Sequence, residues 1–539
     1  MEHIPNSTPP CPYVSNVSLA SKAYYGIGGT ARFVAIPESV AQLSSLLLWN
    51  RAQRLPLALM GSGSNILFSD DDFPGTVLSL EKMQRMFWLS DDELFCEAGV
   101  ENSAIAEALC DAGKSGGEWL YRLPGQIGAT VRMNGRCFGG EVSQMTTGIL
   151  TLSLDGTLHW QLPDAVFLGY KHTALMEHPA IVVGVRLRCA ENRPTKVIRQ
   201  TMLEHEEERT KKHHFDFPSC GSTFKNNYAL GRPSGAIFEE LGFKGESEGG
   251  AVVSNHHANF IFNKGGATAD DVLRLAARMR TAAIERVGVA LDLEVECVGR
   301  FDAALLALCG VNAVADRHDP SKAWAGLLWQ PDTSENLESV EENFPRLLMQ
   351  GPLVGYFGLD REFPVGIEAT VEQLCSVESA KTDREAPFLR WTTRNPSPAL
   401  FSLQAPSPAD FTDELWMYSV SELFIAGASD TAYLEFEMTP DGHWVALRFN
   451  APRKRAAGYE TLSPEPWIGK VRLVQNEKSF GMEFCWSLLE PFVNDEQVIA
   501  LQCCASSGSG EFGLFPWWEA PSSPADFHQP DRFFKTRLI

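Results

Sequence analysis

The chain has 539 residues, 44% of them hydrophobic and 21% charged, with a formal net charge of −22. These values describe a globular chain of more than one domain with sizeable cores, and they exclude intrinsic disorder. The acidic balance argues against nucleic acid and acidic membrane surfaces as general partners, so a negatively charged substrate would need a local basic pocket.

Residues 1–7 lack the basic start and apolar run of a secretory signal, and no run of about eighteen apolar residues occurs. A soluble cytoplasmic protein without a membrane partner is expected. The twelve cysteines are scattered singly from Cys11 apart from the pair Cys503 and Cys504, with no C-x-x-C. Free, mostly buried thiols are expected, and no metal site.

From 16 to 300, short apolar runs alternate with helical patterns and glycine turns, as in a mixed α/β region. A helix is predicted over 38–54, then a short buried strand over 56–60 and the turn Gly61-Ser62-Gly63-Ser64-Asn65. A second helix is predicted from Asn102, as N-cap, to Ala112, ended by Gly113. The clearest helix covers 270–287, with Thr268 and Asp271 as a capping box, Val272, Leu275, Met279 and Ala283 on one face, and Gly288 at its end. Residues 289–297 alternate strictly, placing Asp292, Glu294 and Glu296 opposite the apolar row. The stretch 301–387 has no assignable pattern, although 327–329 and 353–357 are apolar enough to pack. Beyond Phe388, strand-like runs are separated by proline-rich turns. Thr439-Pro440-Asp441-Gly442 joins 433–438 to 443–449 as a hairpin, so this region is predicted to be all-β.

The Gly61 turn offers backbone N–H groups and small side chains, as a close-approaching pyrophosphate requires. A second such segment, Leu123-Pro124-Gly125-Gln126-Ile127-Gly128-Ala129, leads into Met133-Asn134-Gly135 and Phe138-Gly139-Gly140. Two phosphate-compatible loops suggest a dinucleotide. With Gly26-Ile27-Gly28-Gly29 ahead of them, these motifs stand in the order found in UDP-N-acetylenolpyruvoylglucosamine reductases, which this chain resembles over about 16–300. Pro218-Ser219-Cys220-Gly221-Ser222-Thr223-Phe224-Lys225-Asn226 resembles the family's catalytic-serine loop. Val253-Ser254-Asn255-His256-His257-Ala258-Asn259-Phe260 resembles its next signature, and Leu293-Glu294-Val295 its terminal glutamate strand.

The resemblance implies an α+β fold with a p-cresol methylhydroxylase-type FAD-binding domain (1–200) and a small α/β substrate domain (201–300). It implies non-covalent FAD held by Gly61, Ser62, Gly63, Ser64, Asn65, Pro124, Gly125, Ile127, Gly128, Asn134 and Gly139. NADPH would be the hydride donor and UDP-N-acetylglucosamine enolpyruvate the substrate. By position in the motifs, Ser222 is the proton donor, Glu294 orients and polarises the reacting group, and Tyr170, Lys225 and Asn226 contact substrate. Judged singly, Ser222 reads as a turn hydroxyl and Glu294 as a solvated strand face; the motif context favours catalysis.

Three positions depart from the family. Lys171 in Tyr170-Lys171-His172-Thr173 stands where arginine is usual, keeping the charge that would hold the substrate carboxylate but losing the planar fork. Gly128-Ala129-Thr130 has alanine where a second glycine is common, and Asn134-Gly135-Arg136-Cys137-Phe138 replaces a small-residue run ending in tyrosine. The short spacing from Tyr170 to the serine loop fits the compact second type of the family. Lys211, Lys212, His213 and His214 form a basic run near that loop, read first as a solvated face.

Residues 388–539 resemble a DOMON-like, family 9 carbohydrate-binding-like β-sandwich through Leu415-Trp416-Met417-Tyr418, Tyr433-Leu434-Glu435-Phe436, Gly442-His443-Trp444 and Asp526-Phe527-His528-Gln529-Pro530. Trp416, Trp444, Trp486, Trp517 and Trp518 could stack on a sugar, although core tryptophans explain most of them better. With 301–387 as connector, this sandwich is expected to fold by itself. An alternative to turnover is a degenerate flavin or UDP-sugar binder that senses cell-wall sugars. A sugar oxidase on the same fold ranks last, because no histidine or cysteine attachment site is evident.

Overall fold

The computed structural model describes residues 8–537 except 155, 190, 215, 332–345, 353, 356–367, 395–418, 429–430, 457–462, 476–478, 496, 508–511, 516–529 and 531–532. The readings placed on 1–7, 353, 356–357, 415–418, 517–518 and 526–529 lie outside the described residues.

Most helix signals act where they stand. Ser39 caps Val40–Ala52 by accepting from the Gln42 N–H. Thr268 and Asp271 form both halves of the capping box on Ala269–Val287, which Gly288 ends at φ 75°. Asn102 differs from expectation. Glu101 holds the cap position of Asn102–Asp111, while the buried Asn102 carboxamide accepts from Thr130 Oγ1 at 3.0 Å and donates to the Leu123 carbonyl at 3.4 Å. That side chain therefore pins the second glycine loop.

The strand expected over 289–297 also divides. Glu296–Asp302 pairs in parallel with Ile66–Phe68, whereas Leu293 makes only an isolated bridge to Phe224. The alternation itself persists, because Leu291, Val295 and Cys297 are buried while Glu294 and Glu296 keep part of their surface exposed.

A five-stranded sheet has the order Tyr13–Ser18, Thr30–Ala35, Phe73–Ser79, Leu57–Met60 and Leu327–Trp329. A second, of ten strands, starts at Met86–Trp88 and passes through Glu93–Glu97, Ala180–Arg188, Thr146–Ser153 and Leu158–Gln161. It continues through Arg346–Pro352, Glu368–Gln373, Pro387–Arg394, Ser479–Cys485 and Val471–Gln475. The join is a parallel pairing of Leu158 with Met349 and of His159 with Gln350.

The C-terminal hairpin forms as read, with Met438 opposite Trp444. It lies in an eight-stranded antiparallel sheet centred on Ser419–Gly427 and Val498–Ser507. That sheet packs on the outer half of the ten-stranded one through Phe436 against Phe484, 4.4 Å between ring centroids, and Thr393 against Ser421. Trp486 is core and Trp444 half-buried.

These pairings cross the expected boundaries at 300 and 387. One hydrophobic core runs from Leu43, Leu46 and Ile149 to Trp391, Phe436 and Phe484, and the Ser44 hydroxyl donates to the Lys535 carbonyl. A second core, around Phe224, Ile237 and Leu275, extends past 300 to Leu305, Ala323 and Ala325. The expectation of a separately folding sandwich is accordingly revised: paired strand edges and a common core join it to the first three hundred residues. No described helix is long and apolar enough to cross a membrane.

Candidate active site

The first glycine loop follows directly from strand Leu57–Met60. Its backbone has to turn where side chains are costly: Gly63 sits at φ +73°, and a Cβ there would lie 2.2 Å from the Lys22 carbonyl oxygen. The N–H groups of Ser62, Gly63 and Ser64 donate to no described backbone carbonyl, so they remain available to an anion. The second loop lies opposite, held by Asn102 and by a Ser64 hydroxyl that donates to the Pro124 carbonyl at 3.3 Å. Gly125 is at φ +126°, and a Cβ on Gly128 would lie 2.7 Å from that of Ala98.

Gly61, Ser62, Gly63, Ser64, Asn65, Pro124, Gly125 and Gly128 line one cavity. Ile127, Asn134 and Gly139 do not line it. Ile127 is fully buried in the core, and Gly139 follows the outward-packed Phe138. Asn134 is buried at φ 45°, its amide donating to Glu141 Oε1 at 2.6 Å and to the Gly169 carbonyl at 2.8 Å. These three positions shape the loop around the cavity. The bulky replacements in this loop also point away: Phe138 stacks on His205 at 4.2 Å, and the Arg136 guanidinium lies over Tyr170 at 5.3 Å.

The cavity reaches the expected catalytic residues through Asn65. Its amide donates to the Glu294 carbonyl at 2.9 Å, and its own carbonyl accepts from the Glu296 N–H at 3.0 Å. Glu294 is tied to the serine loop by its N–H donating to the Thr223 carbonyl at 2.8 Å. Its carboxylate meets the Lys171 ammonium at 2.7 Å, both largely buried. Lys171 is held at φ 52°, with the Lys225 ammonium donating to its carbonyl at 3.2 Å. Ser222 is half-buried, and its hydroxyl has no hydrogen-bond partner among the described residues.

Asn259 fixes the serine loop by accepting from the Phe224 N–H and donating to its carbonyl, at 3.0 and 2.8 Å. Asn226 spends its side-chain oxygen on the Ser234 N–H at 2.9 Å, while its own N–H donates to the Tyr170 hydroxyl oxygen at 3.4 Å. Burial, reinforced by Glu294, pushes the Tyr170 phenol up to about 12, so it stays a neutral donor.

Arg132 and Glu296 were not singled out as site residues. They form an ion pair in the cavity wall, two residues along the chain from the Lys171–Glu294 pair. The alternation marked Glu296 as outward-facing, but its partner is 164 residues away and carries no local signal. Leu327 and Leu328, from the unassigned stretch, also line the cavity.

The basic run is a solvated face where lysine is concerned, since Lys211 pairs with Glu207 and Lys212 with Glu208 one turn earlier. Its histidines pack instead: His213 stacks on His256 at 3.8 Å and His214 lies 4.6 Å from Phe260. Burial, then the charge of His257, pushes His214 down to about 4, and burial lowers His257 as well. The unfolded chain therefore takes up protons near pH 6.5 that the folded chain refuses until about 4. Stability is full above that upper value and is expected to fall as pH drops through the window. Urea midpoints measured against pH should show this slope for the native chain and a flatter one for His214→Gln.

Residues 31–161 match the family described as FAD binding domain, and 213–298 the one described as UDP-N-acetylenolpyruvoylglucosamine reductase, C-terminal domain. The UDP-N-acetylenolpyruvoylglucosamine reductase of Acaryochloris marina is 32% identical over 292 residues, which cover 54% of this chain and 94% of that protein. That of a Synechococcus species is 33% identical, covering 54% of this chain and 93% of its own length. A crystal structure of the reductase from Thermus caldophilus is 31% identical, covers 52% of this chain and 97% of that chain, and has a TM-score of 0.45.

Proposed function

Because the chain belongs to the UDP-N-acetylenolpyruvoylglucosamine reductase family, we propose that it reduces UDP-N-acetylglucosamine enolpyruvate to UDP-N-acetylmuramate. It does so as an FAD-dependent oxidoreductase of peptidoglycan precursor synthesis, with NADPH as hydride donor and the cytoplasm as its compartment. The FAD-binding domain is of the p-cresol methylhydroxylase type. The carrying observation is the Lys171–Glu294 pair at 2.7 Å, which the Thr223 hydrogen bond sets beside the Ser222 loop.

The residues present fit FAD. Ser62, Gly63 and Ser64 would hold the pyrophosphate through backbone N–H groups, while Leu59, Leu80, Val182, Leu327 and Leu328 offer apolar walls to its rings. The chemistry that FAD supplies when bound is hydride addition to the terminal carbon of the enolpyruvyl double bond, which places negative charge in the adjoining carboxylate.

The chain's own groups then have distinct tasks. Lys171, oriented by Glu294, faces that charge with an ammonium in surroundings that screen it little. Ser222 donates a proton to the neighbouring carbon. Tyr170 and Lys225 contact the substrate, and Asn226 contributes its amide N–H₂, its oxygen being engaged. Following NADPH oxidation with the UDP enolpyruvyl sugar present or absent tests the reading. Oxidation that the sugar does not accelerate would favour the binding-only alternative.

Two outcomes are expected at the site. Among the described residues no cysteine, histidine or tyrosine lines the cavity, so acid or heat should release all the flavin from the yellow protein. Flavin spectra of supernatant and pellet check this. Lys171→Ala should lose about 10²–10³-fold in kcat, the usual cost of one charge-stabilising donor, whereas Lys171→Arg should stay within about tenfold of wild type because the cation is kept. Steady-state rates of the two variants decide it.

For the C-terminal sheets the reading is a DOMON-like, family 9 carbohydrate-binding-like sandwich with a sugar ligand. Its support is the antiparallel eight-stranded sheet and the half-buried Trp444. Quenching of tryptophan fluorescence by cell-wall sugars tests it.

A further inference from the structure

The segment that follows the catalytic strand does not leave the active site. After Glu296–Asp302 the chain forms helix Ala303–Cys309 and returns as Lys322–Ala325, antiparallel to the same strand, with Ala325 opposite Gly299. Gly326 then turns it at φ +64°, where a Cβ would lie 2.3 Å from the Cys297 carbonyl oxygen. The turn sends Leu327–Trp329 into the other sheet, with Leu327 opposite Ala58 and Trp329 opposite Leu57. That neighbour runs straight into the Gly61 loop. Gly326, Leu327 and Leu328 thereby form part of the cavity wall.

Two observations give this wall a purpose. Leu327 and Leu328 are only half-buried although each packs on a core cluster, so apolar surface is left facing the cavity. And the reductases of Acaryochloris marina and Synechococcus are covered to 94% and 93% of their length by about half of this chain. Most of the chain beyond the matched families has no counterpart there.

We infer that Leu327 and Leu328 belong to the flavin-binding surface, and that the appended region of this chain retains the cofactor by closing its cavity with an aliphatic wall. The inference rests on the functional reading above. A flat heterocycle placed against the two leucines would complete their burial, which the rest of the cavity achieves with Leu59, Leu80 and Val182. Trp329 packs on the large core shared with the C-terminal sheets, so the wall is anchored in the appended region.

The test is FAD binding by the full-length apoprotein, read by quenching of flavin fluorescence. Wild type should bind, and Leu327→Ala combined with Leu328→Ala should raise the dissociation constant by about ten- to a hundredfold, as expected for truncating two leucines on a ligand surface. Apoprotein of the double variant should unfold at a lower temperature, because both leucines also pack on core clusters, and the further rise in unfolding temperature on adding FAD should be smaller than in wild type. Leu328→Met, which keeps the volume, should bind like wild type and serves if the double variant does not fold; Leu328→Gln should then carry the loss. Equal dissociation constants for wild type and folded variants overturn the inference while leaving the reductase reading intact. A wild-type chain that takes up no FAD overturns both.

Discussion

Ser222→Ala is expected to leave reduction of the bound flavin by NADPH within about twofold of wild type, while slowing its reoxidation by the enolpyruvyl sugar by about 10²–10⁴-fold, the range of a lost general acid. The asymmetry follows from when the hydroxyl acts. In the proposed role it would protonate carbon only after hydride has reached the substrate, so the half-reaction that lacks substrate would not need it. The substitution should also be structurally mild. The serine loop is held by Asn259 on Phe224 and by the Thr223–Glu294 backbone bond, and the Ser222 hydroxyl supports neither. Stopped-flow traces of the two half-reactions give the answer. Equal slowing of both would remove Ser222 from the proton-donor role.

A chain ended after Arg300 is expected to be recovered mainly as insoluble protein without flavin. The cut removes Lys322–Ala325 from the Glu296–Asp302 strand and takes Leu305, Ala323 and Ala325 from the core around Phe224. It also bares the edge of Leu158–Gln161 and of Leu57–Met60, the partners of two later strands. Exposed edges with apolar faces recruit other chains. The lost burial extends across a core that holds Trp391, Phe436 and Phe484 together with Leu43 and Ile149, and a typical domain has only about 5–15 kcal/mol to lose. Soluble yield and flavin content of the truncated chain, compared with the full one, measure the effect. A soluble, flavin-loaded product with full turnover would show that the C-terminal sheets are independent after all.

Much of the site was legible because its signals are local. The Gly61 turn must be glycine-rich to pass Lys22, the capping box needs only Thr268 and Asp271, and the period of two around Glu294 survives although the regular ladder begins at Glu296. Each depends on backbone sterics or hydrogen bonds within a few residues, which the chain carries wherever it goes. The roles of Asn102, Asn134 and Asn226 were less legible. A carboxamide in a loop suits a cap, a ligand contact or a brace equally well, and only its neighbours decide.

What the sequence alone determined, then, is the identity of the two glycine loops, the serine loop and the glutamate strand, since their residue types and order are fixed along the chain. The tertiary structure alone decided which charges meet. Lys171 finds Glu294 and Arg132 finds Glu296 across long stretches of chain, because a turn at φ 52° carries Lys171 and the end of helix Ile127–Arg132 carries Arg132, and only the packing of those elements, which no local pattern names, sets them against the two glutamates. The same holds for 301–387. Its short apolar runs carry no period that distinguishes a connector from a strand, and Leu327–Trp329 becomes a cavity wall only because Leu57–Met60 presents an open edge beside the Gly61 loop.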